Sequence, residues 1–135
     1  MILLDTDVLI DVALDRHPHA DTAVDLLDRV EQGLRKACIA WHTVSNLYYL
    51  VAPSRGGVSA REFVVELTGF VKIAETNTDS IRYAASLPVP DFEDAMQVAA
   101  ARACGADRIV TRNLRDFGRS PIPAISPQDA LRDLF

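Results

Sequence analysis

The apolar positions along the chain change period repeatedly. Residues 1–4 form an unbroken apolar run, closed by Asp5-Thr6-Asp7 and followed by a short apolar turn, Val8-Leu9-Ile10. A run of this kind reads as a parallel strand buried on both faces. Residues 37–40 (ACIA) and 71–74 (VKIA) read as a second and a third strand, and Asp107 to Val110 leads into a fourth that ends at Thr111. Residues 122–125 (IPAI) read as a fifth strand whose prolines suit an edge. Between these runs the period becomes helical. Ala23, Leu27, Val30 and Leu34 mark one helix. Val44, Leu47, Tyr48 and Val51 mark a second over 41–52, and Phe63, Val64, Leu67 and Phe70 a third over 59–70. Thr76 or Asn77 opens a fourth, containing Ile81, Ala84 and Ala85, which Leu87-Pro88-Val89-Pro90 stops.

The helix termini carry their own signals. Asp7 is placed to cap a helix starting at Val8, and Thr43 or Ser45 to cap the helix over 41–52. Asp91-Phe92-Glu93-Asp94 resembles a capping box opening an Ala-rich helix over 91–104, which Gly105 ends. Ser126-Pro127 starts the last helix. Residues 53–57 (PSRGG) are the clearest loop, and 112–120 (RNLRDFGRS) form another. Strands alternate with helices throughout, with no repeat or linker. The pattern predicts one α/β domain over residues 1–135. Its architecture is a three-layer α/β/α sandwich around a central, mainly parallel sheet of about five strands.

Composition bounds the function classes. At 49% hydrophobic and 24% charged residues, the chain is of ordinary globular type. Its net charge of −5 argues against a passive nucleic-acid-binding module, but not against an enzyme that reaches phosphates through bound cations. Lys36 and Lys72 are the only lysines. Arginine, the side chain suited to bidentate phosphate contact, supplies the other basic residues, and Arg108, Arg112, Arg115 and Arg119 cluster. Cys38 and Cys104 each lie beside apolar residues and make no CxxC pair, which favours two buried thiols over a disulfide. No stretch is apolar enough to span a bilayer and no signal peptide is recognisable, so the expected location is the cytoplasm. His17 and His19 flank Pro18 in a turn that reads as a solvated connector rather than a metal site.

The chemistry lies in carboxylates at strand ends and helix starts. Asp5 follows a buried strand, Asp94 opens a late helix, and Asn113 with Asp116 follows the fourth strand. Open parallel sheets bind their ligands at the carboxyl ends of strands, at a topological switch point, which strands one and four would flank. Carboxylates gathered there must protonate or bind a cation. Oxygen donors without nearby Cys or His favour Mg²⁺ or Mn²⁺, and such a cation suits phosphodiester hydrolysis. Asp11 and Glu93 read as solvent-facing helix residues, and Asp91 as a cap. Tyr48 and Tyr49 point to different faces, one into the core and the other toward a base or a partner surface.

Three segments, DTDVLID at the start, DFEDAMQVAAA at 91–101 and IVTRNLRDF at 109–117, resemble the signatures of the PIN-domain family across essentially the whole chain. The nearest resemblance is to the VapC-type toxins of bacterial toxin–antitoxin pairs. It implies a Mg²⁺- or Mn²⁺-dependent endoribonuclease with an RNA substrate and a partner antitoxin that blocks the acidic cleft. Homodimers are common in such toxins. Residue by residue, the resemblance makes Asp5 and Asp94 metal ligands, Asn113 and Asp116 the last polar positions, and Thr111 the strand-end hydroxyl. Arg112 and Arg115 bracket the implied site as candidate phosphate contacts. Members usually carry Glu early in the third helix, where this chain has Asn46. Asn46 keeps a ligating carbonyl oxygen but removes one negative charge.

Two other readings stay open on the residues alone. Asp5 and Asp7 also fit the nucleophile–acid pair of haloacid-dehalogenase phosphatases, although neither lysine lies where that chemistry needs one. Asn46 equally suits a PIN-like RNA-binding domain with weakened catalysis.

Overall fold

The computed structural model describes all of residues 1–135. Five strands form one sheet: β1 (Ile2–Leu4), β2 (Ala37–Ile39), β3 (Val71–Ile73), β4 (Arg108–Val110) and β5 (Ala124–Ile125). Seven helices surround it: α1 (Thr6–Ala13), α2 (Ala20–Glu31), α3 (Trp41–Arg55), α4 (Gly57–Leu67), α5 (Thr78–Ser86), α6 (Phe92–Cys104) and α7 (Pro127–Asp133). A 3₁₀ turn, Leu114–Phe117, joins β4 to β5. The sheet order is β3-β2-β1-β4-β5 and every pairing is parallel. None of the helices is long and apolar enough to cross a membrane.

Alternation along the strands divides the core into two layers. Ile2 and Leu4 point into a cluster with Val8 and Leu9 of α1, Leu26 of α2, Leu47 of α3, Leu67 of α4 and Ala130 of α7. Leu3 points to the opposite face, where it packs with Cys38, Ile109, Ala84 of α5 and Val98 through Ala101 of α6. The small side chains of α6 bring that helix close to the sheet, and the fully buried β1 explains the unbroken apolar run at the start of the chain. This is the α/β/α sandwich that the pattern predicts.

The structure corrects four local expectations. The first helix begins at Thr6, and Asp5 is its cap: the backbone is extended at Asp5, whose side chain accepts from the Thr6 N–H. The segment 53–57 is not a loop. Helix α3 runs through Pro53 to Arg55, where Arg55 Nη1 donates to the Ala13 carbonyl at 2.8 Å and holds the helix end against α1. The reversal into α4 needs only Gly56, at φ 85° and ψ 154°, a conformation open essentially to glycine. At the other end of α3 neither Thr43 nor Ser45 is the cap, since the cap position is Ala40 and has no side-chain bond. Finally, Cys38 and Cys104 are joined as a disulfide between β2 and the end of α6. Their apolar flanks report burial, but not that the two face each other across 66 residues of chain.

The other punctuation holds. Asn77 caps α5, Asp91 caps α6, Gly105 ends α6 in the left-handed conformation, and Ser126 caps α7. His17 and His19 lie on an exposed turn.

Candidate active site

Order β2-β1-β4 with parallel strands brings the carboxyl ends of β1 and β4 side by side, and the connections from these two strands diverge there. Asp5 and Thr111 are the residues that leave the two strands. Asp5 is only 5% exposed, and its two oxygens are separately held. Oδ1 accepts from Thr6 N at 2.7 Å, and Oδ2 accepts from the Thr111 hydroxyl at 2.8 Å. Burial foremost, with the neighbouring Asp7 and Glu93 charges, raises the Asp5 carboxyl from 3.8 to about 7, against the hydrogen bonds from Thr111 and Thr6.

Asp7, in the first turn of α1, ties that helix to the loop after β4. Its Oδ2 accepts from Arg112 N at 3.0 Å and Asn113 Nδ2 at 3.2 Å, and Thr111 Oγ1 lies 3.3 Å away. The buried Oδ1 has no partner. Burial raises this carboxyl too, with the Arg112 N–H and guanidinium acting in the other direction. Asn113 N donates to Thr111 Oγ1 at 3.0 Å, so the hydroxyl on Asp5 is itself fixed by the loop.

Asp11 is not a solvated face residue. It is 1% exposed and accepts from Arg112 Nε at 2.6 Å and Nη2 at 3.2 Å. This forked ion pair occupies the Arg112 side chain, which the sequence reading offers as a phosphate contact. Arg115, on the 3₁₀ turn, is exposed and its guanidinium makes no ion pair or hydrogen bond. Asp116 on the same turn is exposed, and its charge helps to raise Asp94.

The amino terminus of α6 brings the second group of acids. Oxygens of Asp91, Glu93 and Asp94 lie within 4.8 Å of one another. Asp91 accepts from Asp94 N at 3.1 Å and so acts as the cap. Burial, then the Glu93 and Asp91 charges, push the Asp94 carboxyl well above its ordinary value. Glu93 moves the other way. The hydrogen bond from His42 is the largest cause, and it outweighs burial.

Sequence reasoning missed the brace under Glu93. His42 Nε2 on α3 donates to Glu93 Oε1 at 3.0 Å. Gln97, one turn further along α6 and fully buried, places Nε2 3.0 Å from the same oxygen. That nitrogen also lies 3.2 Å from Thr6 Oγ1 and 3.1 Å from Thr43 Oγ1, while the two hydroxyls are 3.1 Å apart. Glu93 is therefore joined through Gln97 to the residue next to Asp5. A legible signal existed: Gln97 is a lone amide in an Ala-rich helix, four residues after an acid, and buried polar groups need partners. Asn46 lies one turn after His42 on α3, half-buried and without a hydrogen bond.

His42 also borders an apolar groove of about 680 Å³ between α3 and α4, lined by Trp41, Val44, Tyr48, Val64 and Val65 among others. Tyr48 turns inward, while Tyr49 is 72% exposed and meets it edge-on.

The start of α6 gathers Asp91, Glu93 and Asp94, with Asp116 acting on Asp94 and Glu93 on Asp5, while Thr111 and Asn113 fix Asp5 and Asp7. Every nearby donor is an oxygen apart from His42, which is engaged with Glu93. A hard divalent cation fits this donor set, and the unpartnered buried Asp7 Oδ1 agrees with it.

Comparison with known proteins gives the same architecture. The PIN domain family model matches residues 1–115. A toxin–antitoxin complex from Klebsiella pneumoniae superposes with a TM-score of 0.73 at 21% identity, covering 94% of this chain and 98% of that one. DNA-bound VapBC from Salmonella typhimurium gives 0.70 at 21% identity, covering 93% and 97%. Mycobacterium tuberculosis VapC20, described as a sarcin–ricin loop cleaving toxin, gives 0.65 at 17% identity, covering 81% and 87%. At these identities the likeness is one of fold. No curated protein matches the chain.

Proposed function

The chain belongs to the PIN-domain family, and on that premise we propose that it is a Mg²⁺- or Mn²⁺-dependent endoribonuclease, the toxin of a toxin–antitoxin pair. The observation that supports this reading is the buried Asp5 at the switch point, raised by the Glu93 charge, beside the acids at the start of α6, where Glu93 and Asp116 in turn raise Asp94. Asp5 and Asp94 would hold the cation. Such a cation supplies Lewis acidity toward the phosphate and acidifies a bound water.

The protein's own part is positional. Thr6 N and the Thr111 hydroxyl fix both oxygens of Asp5, so that its carboxylate presents one geometry. Asn113 and Asp116 stand at the rim, where Asp116 is free to accept a proton from water or to orient it. Asn46 borders the site from α3. Arg115 is the exposed guanidinium available to the RNA backbone, whereas Arg112 braces the loop through Asp11. The cognate partner is an antitoxin protein, by analogy with the complexes that share this fold, and the place of action is the cytoplasm.

Purified protein should cut RNA internally with Mg²⁺ or Mn²⁺, stop in EDTA, and fall to background with Asp5→Asn. Cutting by Asp5→Asn at the parent rate would refute the site. The phosphatase reading is not favoured. Asp7, its required acid, is held by the Arg112 and Asn113 nitrogens, and Lys36 precedes β2 at the opposite edge of the sheet.

A further inference from the structure

We propose that Glu93, held in place by His42 and Gln97, is a third carboxylate ligand of the cation site, with His42 and Gln97 as its positioning residues. This rests on the metal-dependent reading given above, and it extends that site by a residue to which the sequence assigns no role. Glu93 sits at the amino terminus of α6, on the turn that carries Asp94, and one of its oxygens lies within 4.8 Å of a carboxylate oxygen of Asp91 and of Asp94. Adjacent carboxylates on a helix ordinarily splay apart, since successive positions are about 100° apart around the axis. Here Glu93 is turned inward by two donors from different elements, His42 on α3 and Gln97 on α6, which both meet Oε1 at 3.0 Å.

Those contacts concern one oxygen. The remaining hydrogen-bond partner of Glu93 is the neighbouring Asp94 carboxyl, whose proton a bound cation would displace. Gln97 supplies the independent observation. It is fully buried, and its own Oε1 has no partner, although an apolar residue of similar size would pack there without that cost. A buried amide of this kind is explained when its nitrogen must orient an acid and link it, through Thr6, to Asp5. The arrangement is that of metal sites in which outer hydrogen-bonding groups fix the direction of an inner carboxylate. Helix α3 carries no carboxylate on this face, where Asn46 lies one turn beyond His42, so the acid of this corner comes from α6.

The test is Mn²⁺ titration of the intact protein by calorimetry, with thermal melting in EDTA as the fold control. Asp5→Asn should abolish binding. Glu93→Gln, which preserves shape and an acceptor for His42, should raise the Kd about tenfold or more with an unchanged metal-free melt. His42→Phe should weaken binding in the same direction. In Glu93→Gln, a second change, Asn46→Glu, should recover binding by returning a carboxylate to the same corner from α3. Parent-like Mn²⁺ affinity in Glu93→Gln, with Asp5→Asn inactive in binding, would overturn the proposal and leave Glu93 as a tie between α3 and α6. Should Glu93→Gln not fold, parent-like affinity in His42→Phe would overturn it equally. Parent-like affinity in Asp5→Asn would refute the metal-site reading itself.

Discussion

Replacing Asp5 by Asn should stabilise the metal-free protein at alkaline pH while removing its activity. Burial and the Asp7 and Glu93 charges raise the folded-state carboxyl to about 7, against 3.8 for an ordinary Asp. The folded state then holds a proton that the unfolded chain has released across pH 4–7, so metal-free stability falls as pH rises through that window and levels off above it. Below pH 4 both states are protonated and the contribution is complete. Three units at about 1.4 kcal/mol each set an upper value of about 4 kcal/mol for charging Asp5 above pH 8. Local relaxation and water entry reduce this, and about 2–4 kcal/mol is expected. Asn keeps an oxygen to accept from Thr6 N, and its amide can donate to Thr111 Oγ1 once that hydroxyl turns toward Asp7 Oδ2, 3.3 Å away. Urea unfolding in EDTA at fixed ionic strength should therefore show near-equal stability of parent and Asp5→Asn at about pH 4, and a more stable variant at pH 8.5. A parent whose stability is flat between these pH values, or an Asp5→Asn variant weaker than the parent at pH 8.5, would refute the reasoning.

Three other outcomes follow from the same structure. Saturating Mn²⁺ should raise the parent melting temperature more at pH 8 than at pH 6, because below about 7 the cation must displace protons from Asp5; equal shifts would count against ligation by raised carboxyls. Arg112→Ala leaves Asp11 charged, buried and unpaired, and should cost about 3–5 kcal/mol in chemical denaturation, with Asp11→Asn in the same chain recovering part of the loss. Gly56→Ala forces a side chain into a glycine-only conformation between α3 and α4, and should cost about 1–3 kcal/mol by the same measurement.

The sheet is legible because β1 and β2 are buried on both faces and appear as unbroken apolar runs, while β3, β4 and β5 are short, mainly apolar segments between helical patterns, with limits that the structure shifts by a residue or two. The caps Asn77, Asp91 and Ser126 were legible because capping is local chemistry. What failed was non-local. The sequence around Asp11 shows an acid on a short helix, but its partner lies 101 residues away on the β4 loop. Pro53 and the glycines after it predict a loop, but packing of α3 against α4 and the Arg55–Ala13 bond carry the helix past the proline. Helical geometry relative to Asp94 predicts Glu93 in solvent, and its side chain is 41% exposed, but its hydrogen-bond partner is not legible. Only the approach of α3, which brings His42 to it, turns the side chain inward.

The distribution of positive charge completes the case for a cation. Asp5 is raised by Asp7 and Glu93, and Asp94 by Glu93, Asp91 and Asp116; no basic side chain is among the causes acting on either. The Arg112 guanidinium pairs with Asp11 and, together with the Arg112 N–H, acts on Asp7, but it is not among the causes acting on Asp5 or Asp94. The remaining contacts to Asp5 and Asp7 come from hydroxyl and amide groups, which orient carboxylates without neutralising them. A structural ion-pair network would place arginine or lysine among these acids. For Asp5 and Asp94 the fold supplies none, which is the condition under which the proposed divalent cation would balance their charge.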